Sequence, residues 1–133
     1  MTLERRVASK ARELVLEQKQ QTKDHKDETK YRSVCEGLPI LLRNSGLLQA
    51  VSFLEAKRGG DKAVGSVYGD LETQLKELGF LGSTGLTAKV ADSKLTTPQY
   101  RFLSEMAMLV AFWHKRMAQA LLRQAEKPPE PKA

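Results

Sequence analysis

A chain of 133 residues with 41% apolar and 29% charged residues is long enough, and apolar enough, to fold as one domain around a buried core. Its apolar runs are far shorter than the about 20 residues a bilayer span needs, its charged N-terminal stretch lacks the apolar h-region of a signal peptide, and its lone cysteine allows no internal disulfide; the cytoplasm is the expected compartment. The formal net charge of +6 favours an anionic partner, nucleic acid or a membrane surface, and is silent about the fold.

Leu3, Val7, Ala11, Leu14 and Val15 recur at helical spacing and predict a first amphipathic helix. Residues 18–30 (QKQQTKDHKDETK) carry no apolar stripe and read either as a solvated continuation of that helix or as a polar linker. The stripe resumes at Tyr31, Val34, Cys35, Leu38, Leu41 and Leu42, with Pro39 inside it. A proline removes one backbone donor, which predicts a kink or break near Gly37. Asn44-Ser45-Gly46 predicts a turn, and Leu47, Ala50, Val51 and Leu54 predict the next apolar face.

Arg58-Gly59-Gly60 ends that helix, and Asp61 is placed to cap another. Val64, Val67, Tyr68, Leu71, Leu75 and Leu78 line its face, and Gly79 is placed to stop it. Residues 79–96 show no period and read as a loop whose Leu81, Leu86 and Val90 can still pack inward. Thr97-Pro98 predicts a helix start, with Thr97 as cap and the helix running to about residue 125. The segment EKPPEPKA reads as a frayed, proline-rich tail over 126–133. No strand pattern persists. The expected fold is all-α, a compact bundle of five to six helices over 1–125 with a long C-terminal helix. Leu38, Leu41, Leu47, Val51, Leu54 and Trp113 are the expected core around the stretch 38–57.

The catalytic inventory is thin. His25 and His114 are far apart in sequence, and one cysteine cannot build a cysteine-rich zinc site. Cys35 falls on the apolar stripe and reads as a small buried hydrophobe rather than a nucleophile. His114, beside Trp113, Lys115 and Arg116, reads as a polar contact on the flank of its helix. Gly82-Ser83-Thr84-Gly85 lacks the lysine of a phosphate loop and any preceding strand. Asp70 and Glu72 read as solvated charge. No catalytic residue, metal or cofactor is expected. The remaining candidates are cations that border apolar faces: Arg43, Lys57, Lys115, Arg116 and Arg123. Lys115-Arg116 follows Phe112-Trp113 with only His114 between, the interleaving of cation and aromatic that strand-tracking proteins use.

The stretch LPILLRNSGLLQAVSFLEAK, residues 38–57, resembles the signature of the small subunit of the Cmr complex, the type III-B CRISPR effector. The shared positions are Leu38-Pro39, Gly46-Leu47, Phe53-Leu54 and Ala56-Lys57. A second block agrees in Tyr100, Glu105, Trp113, Lys115-Arg116 and Ala118, and Tyr31 matches a tyrosine seven residues before the Leu-Pro. Two positions depart: Ser45 stands where asparagine usually precedes the glycine, and Met117 where an aromatic usually stands.

The resemblance implies an all-helical, non-nuclease subunit that stacks head-to-tail as an inner filament along the target RNA, beside the guide-carrying backbone subunits to which target cleavage is attributed. Its implied partners are the other Cmr subunits, further copies of itself, and guide and target RNA. On this reading the five cations hold RNA backbone; Lys57, Lys115 and Arg116 lie inside the matching blocks. The competing expectation is a helical protein–protein adaptor without direct RNA contact.

Overall fold

A computed structural model describes residues 1–124, and every regular element in that range is helical. Thr2 accepts a hydrogen bond from the Arg5 N–H at 3.2 Å and opens α1 (Leu3–Gln21). The polar stretch after it divides. Helix continues to Gln21, the chain turns, and Asp24 caps α2 (His25–Ser45) by accepting from the Lys26 N–H at 2.9 Å. Both readings of residues 18–30 are therefore partly met.

The break expected near Gly37 does not occur, for α2 runs unbroken through Pro39. The lost backbone bond and ring clash cost about 3 kcal/mol. Leu38, Pro39 and Leu42 are all buried, and that packing offsets the cost. Gly46 alone separates α2 from α3 (Leu47–Lys57); its φ of +78° is a conformation that glycine adopts without strain. Having no side chain, it cannot cap α3. The Tyr100 hydroxyl, reaching over from the last helix, accepts from the Leu48 N–H at 3.0 Å instead.

Asp61 caps α4 (Lys62–Glu77) as expected, accepting from the Val64 N–H at 3.2 Å. The loop 79–96 contains one short helix, α5 (Leu86–Val90), capped from outside: Glu72 Oε2 accepts from the Leu86 N–H at 2.9 Å. The Tyr68 hydroxyl sits 2.8 Å from Thr87 Oγ1 and donates to Glu55 at 3.2 Å. Glu72 is thus not solvated surface charge but a capping group. The last helix, α6 (Thr97–Leu121), starts one residue earlier than expected, with Thr96 and Gln99 forming a reciprocal capping box and Pro98 in the first turn. It ends at Leu121 because its last carbonyls find partners there: Lys19 Nζ donates to the Leu121 carbonyl at 3.0 Å and Arg32 to that of Leu122 at 2.9 Å. The proline-rich tail expected at 126–133 lies outside the described residues.

Long-range bonds fix the helix directions. Gln74 reaches the Val7 carbonyl and Gln18 reaches Ser66, so α1 and α4 run antiparallel. α2 packs against α3, α4 and α6, and α4 against α1, α2, α3 and α6. The α2–α4 pair is the centre, with α3 and α5 to one side of it and α1 and α6 to the other. Leu38, Leu47, Val51 and Leu54 are buried as expected; Leu41 and Trp113 are only half-buried, each at the edge of its helix's inward face.

Candidate nucleic-acid interface

Three hydrogen bonds align α6 on α2. Glu28 accepts from the Arg123 N–H at 2.6 Å, Arg32 donates to the Leu122 carbonyl at 2.9 Å, and Gln119 donates to Glu36 at 3.2 Å. The chains run in opposite directions, so further residues along α2 meet earlier residues along α6. At the other end of α2 the Gly46 turn meets the Tyr100 hydroxyl, so Arg43, one turn before Gly46, lies nearer the Tyr100 end of α6 than Lys115 and Arg116 do. Phe112, Lys115 and Arg116 stand together in the C-terminal half of α6 and form the candidate face.

On that face the Arg116 guanidinium lies over the Phe112 ring, 4.9 Å from its centroid, and Phe112 meets Trp113 edge-to-face at 5.8 Å. Arg43 and Arg116 are exposed and Lys115 is half-buried. Among the described residues none of these three has a carboxylate within 4.0 Å, whereas Lys10, Arg32 and Arg123 do. A cation without a carboxylate partner is available to neutralise a phosphate.

The other two predicted residues are placed elsewhere. Lys57 ends α3, across the α2–α4 pair, with its ammonium 4.8 Å from the Phe53 ring centroid. Arg123 follows α6; its guanidinium stands 3.7 Å from Glu28 and 3.2 Å from His25 Nδ1, so contact with RNA would compete with those partners. The exposure of Phe53 and Phe112, each with a cation over its ring, was not anticipated. The signal was present: both are Phe and Lys or Arg four residues apart, neighbours on a helix surface.

Sequence reasoning also misplaced His114 and Asp70. His114 is 2% exposed, not on a wet flank, and its Nε2 lies 3.2 Å from Asp70 Oδ2. The Tyr31 hydroxyl donates to the same oxygen. This buried hub joins α2, α4 and α6, and Asp70 is its shared acceptor rather than solvated charge. Burial, with the nearby Asp70 charge adding to it, pushes both the Tyr31 phenol and the Cys35 thiol up from their ordinary ranges. With its thiol held protonated and His114 engaged by Asp70, Cys35 is not an activated nucleophile. Among the described residues no group of histidine, cysteine and carboxylate side chains could hold a metal ion. A groove of about 670 Å³ between the α1–α2 and α3–α4 turns mixes Asp27 and Asp61 with Lys30 and Lys62, and selects neither sign of charge.

Comparison with known proteins agrees with this architecture. The sequence profile of the CRISPR-associated Cmr5 family matches residues 3–121. The chain is 33% identical over 95 residues to the CRISPR system Cmr subunit Cmr5 of Thermus thermophilus, covering 71% of this chain and 76% of that one. Its fold is similar to the crystal structure of a CRISPR-associated Cmr5 family protein from Thermus thermophilus, with a TM-score of 0.72 and 28% identity, covering 92% of this chain and all of the other.

Proposed function

Because the chain belongs to the CRISPR-associated Cmr5 family, whose members are non-catalytic subunits of type III CRISPR complexes, we propose that it stacks with further copies of itself in a type III-B ribonucleoprotein and lays its α6 face along guide and target RNA. The work is cytoplasmic antiviral RNA silencing. One observation carries this reading: Lys115 and Arg116 stand with Phe112 on α6 and, like Arg43, have no carboxylate partner among the described residues. Base pairing supplies sequence specificity in guided complexes, so the protein has only to hold backbone. Spread-out cations suit that task, and few phosphates per copy means weak affinity alone and avidity on stacking.

Filter binding of the assembled complex at several salt concentrations tests it. For Lys115→Ala/Arg116→Ala the expected result is weaker binding for all RNA sequences alike. The log–log salt slope should flatten by roughly 0.7 for each phosphate that the variant no longer neutralises. Unchanged slope and affinity would remove both residues from the RNA surface. Failure to assemble, with RNA affinity of the free subunit intact, would assign the same face to subunit contacts and favour the adaptor reading.

A further inference from the structure

The first turns of α6 and the chain on either side of α5 border a cavity of about 210 Å³. Its apolar walls include Phe80, Leu95, Phe102 and Leu103, and its polar side chains are Lys89 and Gln99. The Phe80 and Phe102 rings meet edge-to-face, with centroids 5.3 Å and planes 83° apart. The pair therefore forms a corner, and Phe102, 49% exposed, leaves much of its ring uncovered.

The free polar groups at this corner are donors. Gln99 Oε1 already accepts from the Thr96 N–H at 2.9 Å, which leaves the Nε2 hydrogens to be used. Among the described residues the Lys89 ammonium has no carboxylate within 4.0 Å. The lining itself contains no carboxylate. Asp92 accepts from the Lys94 N–H at 2.9 Å, and Glu105, one turn beyond Phe102, stands outside the lining. Lys94 and Arg101, both exposed, add cations next to Leu95 and Phe102.

We propose that this cavity takes one unpaired base of a single-stranded RNA, stacked on Phe102, with the base edge and adjoining phosphate accepting from Gln99 Nε2 and Lys89 Nζ. A base brings a flat face to the ring and acceptors to the donors. An apolar anchor from a protein would cover the same rings but leave the amide and the ammonium desolvated without acceptors. A duplex is excluded, since its bases are paired and stacked and cannot enter. Phe102 and Phe112 are both exposed and ten residues apart, about 15 Å along α6, so one strand can pass both. The inference rests on the proposed function for its partner, RNA, and on different residues for its site. Lys115 and Arg116 hold backbone, which is indifferent to the bases, whereas Phe102 holds a base.

The test uses the full chain and a short oligouridine RNA carrying 5-iodouridine, which on irradiation crosslinks to the aromatic ring it stacks on. Mass spectrometry is expected to place the crosslink on Phe102. A crosslink confined to other residues, or none at saturating RNA, overturns the proposal. Phe102→Ala is expected to weaken oligouridine binding by about tenfold and to leave binding of an abasic strand of the same length unchanged. Phe102→Tyr, which keeps the ring, should bind as wild type does. Equal loss of both strands in Phe102→Ala, or loss of neither, overturns it. If uridine 5′-monophosphate at the concentration of the RNA abolished the crosslink, the cavity would belong to a free nucleotide and the strand would be overturned as its occupant. Lys115→Ala/Arg116→Ala is expected to weaken both strands alike and to leave the crosslink on Phe102, so the two readings fail separately.

Discussion

The two sides of the α2–α4 pair are held by different forces. Toward α6 the contacts are directional: Tyr31 and His114 converge on Asp70, and Glu28, Arg32 and Glu36 of α2 each bond the last turn of α6 or its exit. Toward α3 the buried side chains are Leu47, Ala50, Val51 and Leu54, and no titratable group of α3 is buried. Apolar contact is indifferent to small slides, whereas a hydrogen bond is lost within an ångström. The difference matters on the α6 side because a slip there would shift Phe112, Lys115 and Arg116 along α2. The polar bonds set where the cationic face of α6 stands on α2, while α3 needs only to be seated on its apolar side.

Removing the shared acceptor breaks this contrast most severely. Asp70→Ala leaves the Tyr31 hydroxyl and the His114 ring buried without their partner. Orphaning buried polar groups of this kind costs about 3–5 kcal/mol. Urea unfolding should show the loss as a lower midpoint with an unchanged m-value. A loss below about 1 kcal/mol would mean that water reaches the hub and that α6 is held by packing alone.

A smaller effect separates the two sides by pH. The Cys35 thiol is raised by burial and by Asp70, so it stays protonated when the unfolded chain's thiol has ionised. The folded state then binds more protons than the unfolded one. Stability from this group is complete below the unfolded value near 8.5 and declines as pH rises, by about 1.4 kcal/mol per unit. Tyr31, raised in the same direction, adds to the decline only above about 10. Between about pH 7.5 and 10, wild type should therefore lose more stability than Cys35→Ala. Parallel pH profiles for the two would show that Cys35 ionises as freely in the fold as out of it.

What was legible in the sequence follows the range of the forces. Period and caps are local, so α1 and α4 could be read directly, Asp61 was placed as a cap, and α6 was missed by one residue at its start and by about four at its end, where Leu122 leaves the helix. α5 was invisible because five residues carry no period and its caps, Glu72 and Tyr68, come from another helix. His114 was misread because its neighbours in sequence are Trp113 and Lys115, while its partner Asp70 lies 44 residues away. The cations were recognisable by type. Where Lys115 and Arg116 stand relative to Arg43, and that Lys57 lies elsewhere, is decided by the packing of α6 on α2, which no single stretch encodes.

The smallest expected effect tests the directional bond that caps α3. Gly46 gives up side-chain capping in exchange for a backbone angle of +78°, and the Tyr100 hydroxyl of α6 supplies the missing acceptor to the Leu48 N–H. Tyr100→Phe keeps the ring and removes only that oxygen. Leu48 is exposed, so water can replace the acceptor in part, and the cost should be about 0.5–1 kcal/mol. The loss should also be local. Hydrogen exchange should quicken at the amides of Leu48 and its neighbours in the first turn of α3, while those of α2 and α6 keep their protection. If protection fell equally in α6, Tyr100 would be fixing α6 rather than capping α3, and the contrast between a bonded side and a merely packed side would have to be redrawn with α3 on the bonded side.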